Sequence, residues 1–392
     1  VPSTDFDAGE RLAELVDHLH RVGALMDRRW RDAFLQVRRH AFIPDPIWAE
    51  DGDRGDGWMI PVGRDDPYWW DNAYTDFALP TQVDDGTPVG EDGRGRYATS
   101  SISQPSLVAR MLEALRITDG ARVLEIGTAT GYNTGLLCAR LGAENVVTIE
   151  VDPTLAERGR AALRAAGWKP TVVCGDGTSG VPAEAPFDRV LATVAAKRVP
   201  YAWVEQTRPG GLIVTPWGND YMATVLLRLE VGENGTATGR PIGDAPFMWL
   251  RDQRAAAGRW SDHVDFHAPV RTSRTTVDPH QVVVRGSGAE FTVGTWAPGL
   301  CRAWFDAEDA SGEATLWLYD TKGSWASVDY VPGATEYEVE QAGPRGLWGE
   351  VEAAVGWWQR ARRPGRERFG LTVTPDGQHV WLDEPTNEVA RP

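Results

Sequence analysis

The stretch that most constrains this chain runs from Val123 to Leu137 and reads VLEIGTATGYNTGLL. It opens on an apolar run, Val123-Leu124-Glu125-Ile126. It breaks into the small residues Gly127-Thr128-Ala129-Thr130-Gly131 and leaves through Tyr132-Asn133-Thr134-Gly135 into Leu136-Leu137. A strand, a small-residue turn and a helix start in this order are how an α/β protein holds a nucleotide-like ligand at the carboxyl end of a strand.

The surrounding sequence keeps that rhythm. Strands are predicted at 122–126, 145–150, 170–174, 187–193 and 211–215, with helices near 132–141 and 153–166. Such alternation predicts a parallel, doubly wound, Rossmann-like sheet. Ahead of it, Leu12, Leu15, Val16 and Leu19 mark one helix face, and Trp30, Phe34 and Val37 a second. Residues 105–117 read as an amphipathic helix opened by Pro105. Residues 73–83, AYTDFALPTQV, read as extended. Asp51–Gly57 has the look of a calcium loop but lacks the glycine and glutamate such a loop needs, so it reads as a surface loop and no metal site is predicted. Past Gly218 short strands dominate: ATVLLRLEV, HQVVVRG, ATLWLYD, GSWASVDYV and FGLTVTPDGQHVWLD. The last is a hairpin turning on Pro375-Asp376-Gly377, and a helix is expected at 343–361. The organisation predicted is N-terminal helices and substrate-side loops over 1–104, a Rossmann-like cofactor core over 105–231, and an α+β accessory domain over 232–392.

The ligand follows from where acids stand. The first turn reads Glu125-x-Gly127-x-Ala129-x-Gly131, which is not the dinucleotide G-x-G-x-x-G. Glycines admit close backbone approach, and the helix start offers free N–H donors to a carboxylate. The next strand ends in Glu150, where an acid can take both ribose hydroxyls. The third ends in Cys174-Gly175-Asp176-Gly177, where Asp176 can accept from an adenine amine while Gly177 keeps the turn open. Two acids and no P-loop lysine indicate an adenosine ligand without phosphate, which S-adenosyl-L-methionine fits. Thr128, Ala129, Tyr132 and Asn133 at the turn, and Val151 after Glu150, complete the candidate contacts.

These motifs, together with IEVDPTLAERGRAAL, VVCGDGTSGVPAEAPFDRVLATVAAKRVP, RRHAFIP, AYTDFAL and especially SSISQPSLVARML, resemble the protein L-isoaspartyl O-methyltransferases over roughly residues 11–230. The resemblance implies that Glu150 holds the ribose, Asp176 and Gly177 the adenine, and Gly127 and Gly131 the methionine end. It places Ser101 and Ser103 at the acceptor carboxylate, with S-adenosyl-L-homocysteine as product. Ser101 stands where the family commonly has Thr, which keeps a hydroxyl. Either serine alternatively suits a helix cap before Pro105, Ser103 more so. The family's repair enzymes typically stop near the end of the sheet, and this chain continues.

An ionised carboxylate is already a nucleophile, so no general base is required. The seven histidines are scattered and form no nucleophile–base pattern. His40 reads as structural. The net charge of -16 argues against nucleic acid as a partner. Cys138, Cys174 and Cys301 suggest neither disulfides nor zinc. No run reaches the roughly 20 apolar residues of a membrane span, and no signal-peptide pattern opens the sequence, so a cytoplasmic, monomeric chain is the expectation.

The added C-terminal part carries ten of the 18 tryptophans, a composition that serves either a core or a binding surface. RFGLTVTPDGQHVWLDEP and GWWQRARRPGRERFG resemble the tails of actinobacterial methyltransferases of this family associated with ribosomally made graspetides and lanthipeptides. That resemblance implies methylation of an Asp side chain in a cyclised precursor peptide, the ester then closing to a succinimide (aspartimide). Repair of isoaspartyl-containing polypeptides is the alternative, and a catalytically inactive cofactor-binding scaffold a second. A basic run, Arg360, Arg362, Arg363, Arg366 and Arg368, suits either an acidic peptide or a solvated helix end.

Overall fold

The computed structural model describes residues 5–52, 57–254 and 260–389. Residues 53–56 of the loop read as a calcium-like segment lie outside the described residues. The chain divides into two compact units. One comprises residues 1–194, 200–215 and 230–235; the other comprises 195–199, 216–229 and 236–392.

The first unit opens with α1 (Asp5–Arg21) and α2 (Arg28–Gln36), the latter capped by the Asp27 carboxylate on the Arg29 N–H. A small hairpin follows, β1 (Ile47–Glu50) with β2 (Met59–Val62), then α3 (Pro67–Ala73). A second hairpin pairs β3 (Leu79–Val83) with β4 (Ala98–Ile102). α4 (Pro105–Ala114) leads into the alternating core: β5 (Val123–Ile126), α5 (Tyr132–Leu141), β6 (Val146–Glu150), α6 (Pro153–Ala165), β7 (Thr171–Cys174), β8 (Phe187–Ala192), α7 (Tyr201–Glu205) and β9 (Thr207–Trp217). The strands lie in the order β7-β6-β5-β8-β9 with parallel pairing throughout. β5 and β6 are buried along their whole length, as central parallel strands covered on both faces must be. The reversal of strand order falls beside β5, so the ends of β5 and β6 open onto the crevice where open α/β sheets bind ligands.

In the second unit β10 (Val225–Val231), β11 (Ala237–Asp244), β17 (Phe369–Thr374) and β18 (Gly377–Leu382) are neighbours in that order, with β11, β17 and β18 antiparallel. A separate antiparallel sheet is built from β12 (Arg271–Thr275), β13 (Cys301–Asp306), β14 (Ala314–Tyr319), β15 (Trp325–Tyr330) and β16 (Tyr337–Ala342), ordered β12-β16-β15-β14-β13. Leu316, Leu318, Val328 and Val339 line one face and are fully buried. α9 (Leu347–Arg360) packs on β14, β15 and β16 and buries Leu347, Val351 and Val355. Each such side chain contributes about 1.5–3 kcal/mol.

Two expectations change. HQVVVRG forms consecutive turns, not a strand, and α8 (Gly288–Trp296) follows it where no helix was read. Ser287 caps α8 by accepting from the Glu290 N–H. The tryptophans divide as well. Trp296, Trp325, Trp348, Trp358 and Trp381 are buried core residues. Trp260 and Trp317 pack in a tilted arrangement with ring centroids 4.8 Å apart, beside the exposed Phe266 and Phe305.

No helix among the described residues is long and apolar enough to cross a membrane.

Candidate active site

The sequence places a glycine at the end of β5, and the geometry requires one. Gly127 has φ +98°, and a Cβ there would stand 2.8 Å from Thr193 Oγ1. That hydroxyl donates to the carbonyls of Ile126 and Gly127, at 3.1 and 2.8 Å, and fixes the turn. Gly131 caps α5, which begins at Tyr132. The turn thus presents backbone, not side chains, to whatever lies over the strand ends.

Glu150, at the end of β6, is buried, with one carboxylate oxygen accepting from Ala129 N (2.9 Å) and the other from Asp152 N (3.1 Å). A carboxylate has about four lone-pair positions, so each oxygen keeps one for an incoming hydroxyl. Val151 beside it leaves its apolar side chain exposed. At the end of β7, Asp176 accepts from the Thr178 N–H and hydroxyl (2.9 and 2.7 Å). Gly177 is pressed close to the sheet: a Cβ would meet Ile126 Cγ2 at 2.6 Å. Its carbonyl accepts from Nε1 of the fully buried Trp203 at 2.8 Å. A carboxylate with acceptor capacity left over at one strand end, an exposed apolar side chain next to it and an acid at the following strand end are the acceptors and shape an adenosine moiety needs.

Other residues of the turn act inward. Glu125 is fully buried; one oxygen accepts from Asn133 Nδ2 at 2.6 Å and the other from the Thr134 hydroxyl. Burial raises its carboxyl from the ordinary 4.5 to about 7, against those hydrogen bonds. Thr128 bonds its hydroxyl to that of Thr148 at 2.8 Å. The Tyr132 ring packs edge-on to Phe34 and Phe42, and burial pushes its phenol upward. Ala129, with φ +44°, meets Glu150 through its N–H. The buried Asn133 Oδ1 has no partner within the protein, an acceptor at the start of α5 suited to an ammonium or N–H of a ligand.

Ser101 and Ser103, expected from the sequence at the acceptor carboxylate, lie on and just beyond β4. Ser101 faces Pro80 across the β3–β4 pair. Neither serine caps α4: Gln104 is its N-cap and makes no side-chain capping bond to the helix, and the Ser106 N–H is taken instead by Asp76 Oδ1 at 2.7 Å. The hydroxyls of Ser101 and Ser103 are therefore left for another partner. The Ser103 carbonyl accepts from Arg39 at 3.3 Å. Arg39 is fully buried and also donates to the carbonyls of Ala73 (2.7 Å) and Phe77 (2.8 Å), so one guanidinium staples the AYTDFAL segment to the end of β4. Desolvation lowers its pKa to about 10. His40 accepts its place in the core through Tyr74, with Nδ1 2.6 Å from the phenol oxygen. Sequence reasoning misses Arg39 and Asp76 as site-building residues, although both lie in segments that carry the family resemblance.

This sheet order, with a carboxylate at the second strand end and a small-residue turn at the first, defines an S-adenosyl-L-methionine-dependent methyltransferase fold. The profile of the family "Protein-L-isoaspartate(D-aspartate) O-methyltransferase (PCMT)" matches residues 65–254. The protein-L-isoaspartate O-methyltransferase of Methanopyrus kandleri is 33% identical over 239 residues, covering 60% of this chain and 89% of that protein. The one from Gloeobacter violaceus is 44% identical over 204 residues, covering 51% of this chain and 80% of its own. A solved structure of a protein-L-isoaspartate O-methyltransferase superposes with a TM-score of 0.54 at 20% identity, covering 95% of this chain and all of that one, a likeness of fold. The chain belongs to the protein-L-isoaspartate O-methyltransferase family, and it is an S-adenosyl-L-methionine-dependent carboxyl O-methyltransferase.

Proposed function

We propose that the chain methylates the free carboxylate of L-isoaspartyl residues in polypeptides, the chemistry of protein repair. The observation that carries this reading is the pair of uncapped hydroxyls, Ser101 and Ser103, at the end of a hairpin held by the buried Arg39. The cofactor supplies an electrophilic methyl on a sulfonium. The protein's part is to bind and orient. Glu150 takes the ribose hydroxyls, Asp176 and Gly177 meet the adenine, and Val151 lies against it. Gly127 and the start of α5 receive the methionine end, with Asn133 Oδ1 toward its ammonium. Ser101 and Ser103 donate to one acceptor oxygen and leave the other aimed at the methyl. With the nucleophile already ionised, orientation and exclusion of water account for the rate, a contribution of up to about 7–11 kcal/mol in good cases. The test is transfer of labelled methyl to an isoaspartyl peptide and to its normal aspartyl counterpart. Turnover confined to the isoaspartyl peptide supports the reading; equal turnover of both refutes it.

A second reading is methylation of an Asp side chain in a cyclised ribosomal precursor peptide, with closure to a succinimide. The half-exposed aromatic cluster of Trp260, Phe266, Phe305 and Trp317 in the C-terminal unit favours it, since rigid aromatic side chains suit a constrained peptide. The basic run favours it less, because Arg366 pairs with Asp244 and Arg368 with Asp383. The overall likeness to a solved member of the family along nearly the whole chain makes an added C-terminal unit compatible with the first reading. On the second reading the cognate precursor ends one water lighter than it began.

A further inference from the structure

The β3–β4 hairpin that carries Ser101 contains an irregularity whose product is one buried amide. The pairing of β3 with β4 shifts register between Pro80 and Gln82 and again between Gln82 and Val83. Strict alternation would turn Gln82 to the side opposite Thr81 and Val83. Instead Thr81, Gln82 and Val83 are buried in succession, at 5%, 7% and 1% exposure. Bulges next to functional sites commonly re-aim a side chain in this way. Both ends of the Gln82 amide are used. Its Oε1 accepts from the Thr99 hydroxyl on β4 at 2.9 Å, and its Nε2 donates to Asp152 Oδ2 at 3.1 Å.

Asp152 belongs to the cofactor side. Its other oxygen caps α6, accepting from the N–H groups of Thr154 and Leu155 at 2.8 and 3.1 Å. Its own N–H donates to Glu150 Oε1, and Glu150 Oε2 accepts from Ala129 N. The hydrogen bonds thus run unbroken from Thr99 through Gln82, Asp152 and Glu150 to the Ala129 turn. Thr99 is two residues from Ser101 on the same strand. Every link from Gln82 to Glu150 is buried, where hydrogen bonds are least exchanged with water and position their partners best.

We propose that Gln82 is a positioning residue that ties the acceptor hairpin to the acidic strand end of the cofactor site, so that cofactor and acceptor peptide bind with mutual reinforcement. The inference rests on the reading that Glu150 holds the ribose and Ser101 faces the acceptor. Ribose hydroxyls on Glu150 restrict the carboxylate that Asp152 bonds. Asp152 then offers Gln82 a fixed acceptor, and the bulge holds β4 in the register that aims Ser101. Linkage makes the effect reciprocal: the factor by which peptide tightens cofactor equals the factor by which cofactor tightens peptide.

The test is calorimetric titration of S-adenosyl-L-homocysteine into the full-length protein, with and without a saturating isoaspartyl hexapeptide. The native protein is expected to show at least about a 5-fold tightening by peptide, within the usual range of coupling between sites. Gln82→Met keeps the length and removes both hydrogen bonds. In that variant the affinity without peptide stays within about 2-fold, the tightening disappears, and the peptide affinity in the presence of S-adenosyl-L-homocysteine falls about 5- to 10-fold, as loss of one coupling factor requires; the peptide KM rises with a smaller change in kcat. Gln82→Glu gives a second readout. Above neutral pH its carboxylate opposes Asp152 and coupling is lost; on acidification its protonated oxygen donates to Asp152 and coupling returns, while native coupling stays flat. A native protein without coupling, a folded Gln82→Met that retains it, or a Gln82→Glu that does not recover on acidification each overturns the proposal. Glu150→Gln separates the two levels: unchanged cofactor affinity there removes the underlying cofactor reading, whereas the expected loss there with coupling intact in Gln82→Met removes only the role of Gln82.

Discussion

Glu150→Gln tests the cofactor site with the least change of shape. In the native protein the carboxylate already accepts two backbone N–H groups, from Ala129 and Asp152, and the reading adds two ribose hydroxyls. The amide has a single oxygen, so it can serve two of those four donors, while its NH2 faces a buried N–H. Hydrogen bonds to a charged group are worth about 1.5–3 kcal/mol, and one to a neutral amide about 1 kcal/mol. Losing one ribose bond and weakening the other costs about 2–4 kcal/mol of binding, roughly 30- to 1,000-fold in Kd. The orphaned backbone N–H costs a further 1–3 kcal/mol or so of folding stability, because the site is buried. Calorimetry with S-adenosyl-L-homocysteine reads the first effect and thermal unfolding reads the second. A drop in melting temperature with Kd within twofold of native would refute the ribose assignment and leave Glu150 as a structural pin of the Ala129 turn.

Three further outcomes are expected. Burial holds the Glu125 carboxyl near 7, above its ordinary 4.5; the folded state keeps a proton the unfolded chain loses between these values, so this contribution to stability is complete below about 4.5 and is lost as pH rises through 7, on the order of 3 kcal/mol in all. Denaturant titrations of Glu125→Gln across that window should flatten the dependence, and an unchanged profile would contradict it. Ser101→Ala and Ser103→Ala should each lower kcat/KM by about tenfold, one hydrogen bond's worth, with cofactor affinity unchanged; full activity in the double variant would exclude both from the acceptor site. Trp381→Ala should destabilise by about 3–5 kcal/mol, since the indole is buried over Gly370 and donates to Thr372 Oγ1 at 3.0 Å; a stable variant with altered peptide affinity would instead assign Trp381 to a binding surface.

The Rossmann-like core was legible because its signals are local. The helix 132–141 coincides with α5, and the strands of the parallel sheet fall within a few residues of their predicted bounds, because apolar runs, small-residue turns and caps such as Asp152-Pro153 act within a few positions of the chain. Glu150 and Asp176 could be named for the same reason: a strand end is identifiable from the run before it. The turns at 280–286 were misread because Val282-Val283-Val284 has a strand's propensity, and only packing decides whether it pairs.

By itself, then, the sequence determined the parallel core, the order of its elements, the acids that stand at its strand ends and the family. Tertiary structure alone decided which polar groups face inward. Glu125, Thr128 and Arg39 spend their hydrogen bonds inside the fold, and Ser103 is not a helix cap, because Asp76, 30 residues earlier than Ser106, takes that place. Gln82 meets Asp152 across 70 residues through a bulge that has no sequence signature. Such pairings depend on two distant segments arriving at one point, and periodicity carries information only about a residue's near neighbours.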